Sequence, residues 1–348
     1  MKFLYLERME EININIKELV NTYSSIVFKT GLVLVILSTL FLFTNFTTEF
    51  YDTPKLLILL VFAAALLLFL TLKFIVEDKV VFFRTPLDIP WLLLLAVGIA
   101  STVLSSSPYI ALLGDQLKIH GSLISIITYL LFYFVLVNSL KNAKEIKWYI
   151  TLSIIASQAL AVISLLTYAG VKILPVPWTH GANFTTTGSA FSTTAVLALL
   201  LPFIIMQVLN SKKPLFAVAN SLFLALTGVT IALTGTWATW IGALFGLVLT
   251  FFAVNPIRQI SRIRLLGLIG LIGPIVVIVL VTTFSFIPPI RGAKNPLYTQ
   301  AQNFPREIQL PFVTSWKISA SAFRDSPFWG TGPATYAFNF TNYKPIEF

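Results

Sequence analysis

The sequence contains no cysteine and only two histidines, His120 and His180, in 348 residues. A disulfide, a thiolate nucleophile and a cysteine-ligated metal are therefore excluded. Two imidazoles are also too few for a histidine metal cage. Charge is equally scarce. Asp, Glu, Lys and Arg make up 11% of the chain, against about 25% in soluble domains. A water-soluble globule needs charged side chains to cover its surface, and this chain does not have them. Residues of the set AVILMFWYC supply 57%, and the mean hydropathy is +0.86. The composition is that of a polytopic membrane protein. It runs against disorder, a secreted disulfide scaffold and a nucleic-acid-binding module.

A helix needs about 20 mostly apolar residues to cross a bilayer. About nine segments qualify, near residues 30–46, 56–72, 89–105, 121–139, 149–169, 190–209, 214–233, 236–254 and 265–286. The seventh and eighth are separated only by Leu233-Thr234-Gly235-Thr236, which predicts a tight hairpin. Residues 1–20 are polar and carry Glu7, Arg8, Glu10, Glu11, Lys17 and Glu18, so no cleavable signal is visible there. Pro202, Gly267, Gly270, Gly273 and Pro274 fall inside apolar runs, where ordinary helix packing accommodates them.

The net charge of +10 reads as topology rather than as a nucleic-acid footprint. The N-terminal segment and every second loop thereafter hold fifteen of the 24 Lys and Arg; examples are Lys29, Lys73, Lys147, Lys213 and Arg262. The alternate short loops hold Lys55, Lys118 and Lys172 alone. By the positive-inside rule the N-terminus is cytoplasmic. With nine crossings, the hydrophilic stretch after residue 286 lies outside. It carries Arg291, Lys294, Arg306, Lys317, Arg324 and Lys344, and long translocated segments escape the charge rule. The expected organisation is a cytoplasmic segment (1–29), a transmembrane helical domain (30–286) and an extracytoplasmic loop (287–348). The expected location is a membrane crossed several times, with the N-terminus on the cytoplasmic side.

Within that last stretch, residues 311–324 have helical periodicity. Phe312, Trp316, Ala320 and Phe323 gather on one face, and Lys317, Ser321 and Arg324 on another. Such a helix suits a bilayer surface, with its basic face toward a lipid diphosphate, which Arg grips as a fork. Residues 328–336, Phe-Trp-Gly-Thr-Gly-Pro-Ala-Thr-Tyr, hold a turn signal. They lack the strand–turn–helix setting of a dinucleotide site. The shorter outer loops place His120 in Gly114–Gly121 and His180 in 178–189. His is the usual general base near neutral pH, although a single loop His is more often simply solvated. The Ser/Thr run 185–189 suits a helix cap. No charged residue falls at a helix centre, which weakens readings as an ion pump or a proton-coupled transporter.

Four of these pieces, in this order, resemble the O-antigen ligase and polymerase family of bacterial membrane glycosyltransferases. They are Thr53-Pro54-Lys55, the Gly114–Gly121 loop with Lys118 at the family's basic position, Gly188-Ser189 ahead of an apolar helix, and Ser315-Trp316-Lys317 with Asp325-Ser326-Pro327-Phe328-Trp329-Gly330-Thr331-Gly332-Pro333. The last is the most specific, and the resemblance spans about residues 50–348. It implies an all-α, GT-C-like, metal-independent enzyme without cofactors. Such an enzyme moves a glycan from undecaprenyl diphosphate to an acceptor hydroxyl on a lipid, glycan or protein at the outer face. On this reading Lys118, His120, Arg306, Lys317 and Arg324 hold the diphosphate and glycan. The physics agrees, because leaving-group charge needs fixed cations and the acceptor hydroxyl must lose a proton.

Two features depart from the family pattern. Trp237 stands where an Arg is common at the start of the eighth helix. The family's loop His has no counterpart after His180, which leaves the catalytic base unassigned and points to a C-terminally truncated chain. The competing expectation is a non-enzymatic transporter of a lipid-linked glycan or small solute. It calls for inverted repeats and mid-membrane polar sites.

Overall fold

A computed structural model describes residues 2–47, 49–77, 82–115, 119–140, 142–211, 213–253, 262–289, 295–305 and 312–344. Among these residues the regular structure is helical, with no strand. The helices are α1 (Lys2–Phe41), α2 (Asp52–Glu77), α3 (Asp88–Val103), α4 (Pro108–Leu113), α5 (Leu123–Ser139), α6 (Ala143–Tyr168), α7 (Ala190–Leu209), α8 (Pro214–Thr234), α9 (Trp237–Ala253), α10 (Arg262–Phe286), α11 (Pro296–Asn303), α12 (Phe312–Asp325) and α13 (Tyr336–Tyr343). Each of the nine expected apolar segments is a helix. Among the described residues five are long and apolar enough to cross a bilayer, and α3, α5, α9 and α10 hold shorter apolar helices. The protein is thus a polytopic membrane protein of all-α class. Helical structure in α1 continues through residues 29 and 30 without a break.

The surface chemistry agrees with lipid as solvent. Phe245 on α9 is 64% exposed and Ile89 on α3 is 70% exposed, and both have large apolar neighbours in the same condition. Patches of this extent on a water-soluble monomer would drive aggregation. Facing acyl chains, they cost nothing.

The chain divides into two units, Met1–Ile146 with Gln309–Phe348, and Lys147–Ile308. In unit 1, α1 packs on α2, α2 on α5, and α3 on α4 and α5. Leu32, Val35, Ala63, Leu66 and Val135 form its buried apolar positions. In unit 2, α7 packs on α8 and α9, and α10 packs on α8. Its core is built from Ile154, Leu197, Ile204, Val208 and Ile231, all at or near zero exposure.

Lipid offers no hydrophobic drive for helices to associate, so polar side chains supply part of the adhesion. Gln158 Nε2 donates to Thr227 Oγ1 at 3.2 Å, tying α6 to α8. Gln207 Nε2 donates to Thr151 Oγ1 at 3.1 Å, tying α7 to α6. Both Gln158 and Thr227 are buried.

The hairpin expected between the seventh and eighth segments is present, with α8 ending at Thr234 and α9 beginning at Trp237. Gly235 is required there. A Cβ on it would lie 2.2 Å from the Ile231 carbonyl oxygen.

Candidate functional site

In unit 1 the C-terminal end of α3, α4 and the N-terminal ends of α2 and α5 stand at the end that the charge pattern assigns to the outside. Thr53-Pro54-Lys55 forms the first turn of α2 rather than preceding it. Asp52 acts electrostatically on both Lys55 and the Tyr129 hydroxyl of α5. The loop that follows α4 begins at Gly114 and closes at Gly121, both at positive φ. Ser122 then caps α5 by accepting from Ser125 N at 3.4 Å. Just before it, exposed His120 holds the Tyr129 hydroxyl through Nδ1 at 2.9 Å. His120 is thereby oriented toward α5 rather than left loose. Lys118 lies outside the described residues, as does Arg306.

The Gly330-Thr331-Gly332-Pro333 turn is seated on this same end of unit 1. Ser105 Oγ donates to the Thr331 carbonyl at 2.7 Å. Gly332 has φ +113°, and a Cβ there would lie 2.5 Å from Ser105 Oγ and 3.2 Å from Ala111 Cβ. Only glycine satisfies both the backbone angle and the contact. Inside the turn, Asn339 Nδ2 donates to Thr331 Oγ1 at 2.7 Å. Thr335 Oγ1 donates to the Gly332 carbonyl. The motif that resembled a signature in sequence is therefore a rigid wedge fixing α12 and α13 to the α3–α4 corner.

The amphipathic helix is α12, and it presents three faces rather than two. Trp316 is 67% exposed and Phe323 is 65% exposed, which is the stripe expected to meet the bilayer. Lys317 and Arg324 are exposed, with Ser321 between them half-buried. Ile318 and Ala322 form a third, buried face, one turn apart, that docks α12 on its unit. Tyr343 of α13 donates to the Asp325 carboxylate at the end of α12. That hydrogen bond to Asp325 holds the phenol's pKa above its ordinary value.

Unit 2 contributes a different surface. The Ser/Thr run 185–189 is a hydroxyl network as well as a cap. Ser189 Oγ accepts from Ser192 N at 3.2 Å at the start of α7. Thr187 Oγ1 lies 3.0 Å from Thr185 Oγ1 and 2.8 Å from Thr193 Oγ1. His180 Nε2 sits 3.1 Å from the Leu174 carbonyl, within its own loop.

Beside this loop opens a cleft of about 970 Å³; among the described residues its lining, which includes Tyr168, Tyr298, Gln300, Asn303 and Phe304, holds no charged side chain. The Tyr168 and Phe304 rings meet tilted, with centroids 5.1 Å apart, and Gln300 donates to the Tyr168 carbonyl. Sequence reasoning missed this cleft, although one signal was available. Asn295-Pro296 is a helix start, and Asn295 Oδ1 does accept from Leu297 N at 3.1 Å and Tyr298 N at 3.3 Å.

Chemically, the two surfaces divide by charge. The unit 1 end offers exposed cations and a hydrogen-bonded imidazole, and the unit 2 cleft offers aromatic faces, amides and hydroxyls. Among the described residues no group of three or more His, Asp or Glu could hold a metal ion. Of the five expected site residues, the structure places His120, Lys317 and Arg324 in unit 1.

No curated protein and no solved structure matches the chain. Residues 222–347, from α8 through the Gly330–Pro333 wedge to α13, match the family model described as O-Antigen ligase, and through them the chain is similar to the O-antigen ligase and polymerase family that its motifs resemble.

Proposed function

We propose that the protein transfers a glycan from an undecaprenyl-diphosphate carrier to an acceptor hydroxyl at the outer face of the bacterial inner membrane, with its N-terminus in the cytoplasm. The acceptor oxygen forms its bond to the anomeric carbon as the bond from that carbon to the diphosphate breaks. The acceptor proton leaves to a base, and the carrier departs as its diphosphate. Charge accumulates on the departing diphosphate, so fixed cations aimed at it lower the barrier. Lys118, Arg306, Lys317 and Arg324 supply that charge and His120 supplies a further donor. The aromatic and amide cleft of unit 2 suits sugar rings, whose C–H faces stack and whose hydroxyls hydrogen-bond.

The observation that carries this reading is the family match over residues 222–347. It runs through the helix that exposes Lys317 and Arg324, two turns apart. The test is complementation of a ligase-null strain with the full reading frame. Restored glycan transfer is expected, and it is lost when the four cations are changed together to Gln with expression retained. An unchanged glycan profile in the complemented null strain, with expression verified, overturns the proposal. So does solute flux through reconstituted vesicles without any glycan transfer.

A further inference from the structure

At the opposite end of unit 1, the one the charge pattern assigns to the cytoplasm, a cleft of about 230 Å³ opens among α1, α2, α5 and the start of α6. Its wall carries Lys29 from α1, Lys73 from α2 and Glu145 from α6. Lys29 Nζ and Glu145 Oε1 are 3.5 Å apart, with side chains 55% and 30% exposed. Among the described residues the lining holds two ammonium groups and one carboxylate. Amides complete the polar part. Asn138 is buried and is held in place by its own bonds, donating to the Phe134 carbonyl at 2.8 Å and accepting from Phe83 N at 3.0 Å. The floor is apolar, formed by Phe28, Leu66, Phe69 and Leu70. Alongside it, α2 turns Leu68, Leu72 and Ile75 outward, at 58%, 40% and 74% exposure.

A purely structural ion pair needs no cavity. A site for a small soluble anion needs no apolar floor and no lipid-facing flank. An amphiphile uses all of these features, with a charged head at the lysines, a glycerol backbone over the floor and acyl chains along α2. Basic pockets between membrane helices on the cytoplasmic side are suited to anionic headgroups. We propose that this cleft binds the phosphodiester headgroup of an anionic glycerophospholipid from the cytoplasmic leaflet, with Lys29 and Lys73 as its cationic contacts and Glu145 as the carboxylate the phosphate displaces from Lys29. This site is separate from the proposed glycan transfer, and its test does not read that activity.

The test is native mass spectrometry of the full chain after exchange into defined lipid. Phosphatidylglycerol adducts are expected to exceed phosphatidylcholine adducts. Retention should fall roughly fivefold for each of Lys29→Gln and Lys73→Gln, the factor expected per cation at an anionic surface. Glu145→Gln should raise it. Lys213→Gln, an exposed cation outside the cleft lining, should leave it unchanged. Equal retention of the two lipids overturns the proposal. Unchanged adducts in a double lysine variant that elutes like the parent do the same. Displacement of phosphatidylglycerol by an equal concentration of inorganic phosphate overturns the lipid as ligand. Should the lysine variants fail to fold, Glu145→Gln decides alone, since weaker or unaltered retention without the carboxylate also overturns the proposal.

Discussion

The two units present contrasting surfaces at the ends assigned to the outside. Unit 1 has charge and little enclosure. Lys317 and Arg324 stand exposed on α12, and His120 is held by Tyr129 in the loop before α5. Unit 2 has an open cleft of about 970 Å³ walled, among the described residues, by tyrosines, a phenylalanine and amides. Phosphate recognition depends on full charges and forked donors, whereas sugar recognition depends on ring faces and neutral hydrogen bonds. Each surface thus suits a different ligand chemistry. The contrast shows why composition finds one and not the other. Cations stand out in a chain with so few of them, while aromatic and amide residues do not.

The sharpest way to break the contrast is to unseat the unit 1 wedge. Gly332→Val puts a branched side chain at φ +113° against Ser105. Backbone strain plus overpacking costs about 2–4 kcal/mol. The expected outcome is a lower midpoint of thermal unfolding and new proteolysis around residues 326–334. Gly121→Ala is the control. It too has positive φ, but nothing lies within 4 Å of an added Cβ, so the expected cost is about 1–2 kcal/mol. Equal effects of the two variants would mean that the wedge does not depend on its contact with Ser105.

A smaller effect on the fold, with a large one on transfer, is expected from the cations. Lys317→Gln with Arg324→Gln should slow glycan transfer on the order of 10²-fold, with no change in unfolding midpoint because both side chains are exposed. The residual rate should also lose part of its dependence on ionic strength. Unit 2 should answer differently. Tyr298→Ala removes an aromatic wall from its cleft. A rise in acceptor KM of roughly three- to tenfold is expected, the worth of one aromatic contact, with the salt dependence untouched. A variant of either unit that produced the other unit's signature would erase the proposed division between them.

The legibility of the molecule follows the same line. The membrane helices were visible because lipid requires long apolar runs, and each of the nine expected segments is helical. The Gly235 hairpin was visible because polar residues interrupt such a run. Lys317 and Arg324 were visible because charge at helical spacing is conspicuous. The buried Ile318–Ala322 face of α12 was not read, since two apolar residues one turn apart do not announce which side meets protein and which meets lipid. The unit 2 cleft was not legible because Tyr168 and Gln300, which meet through a hydrogen bond, come from remote parts of the chain. The Gln158–Thr227 pair was hidden for the same reason. A mid-membrane polar residue is visible in sequence, but its partner is not.

The finest distinction concerns how α13 is held to α12. Tyr343 donates to the Asp325 carboxylate, and that bond raises the phenol's pKa. A folded-state pKa above the unfolded one means that the clasp stabilises fully below an ordinary tyrosine's pKa of about 10. The contribution is lost as pH rises through the raised folded value, when phenolate and carboxylate repel. An absorbance titration of tyrosinate should therefore include a late-ionising component from Tyr343 in the native protein. Tyr343→Phe should remove that component, and amide exchange in residues 336–343 should then no longer accelerate at alkaline pH. The effect is small because the pair is solvated. Its absence would mean that the Gly330–Pro333 turn and the Tyr336 hydroxyl, which donates to the Ser315 carbonyl at 3.4 Å, hold α13 to α12 without the clasp.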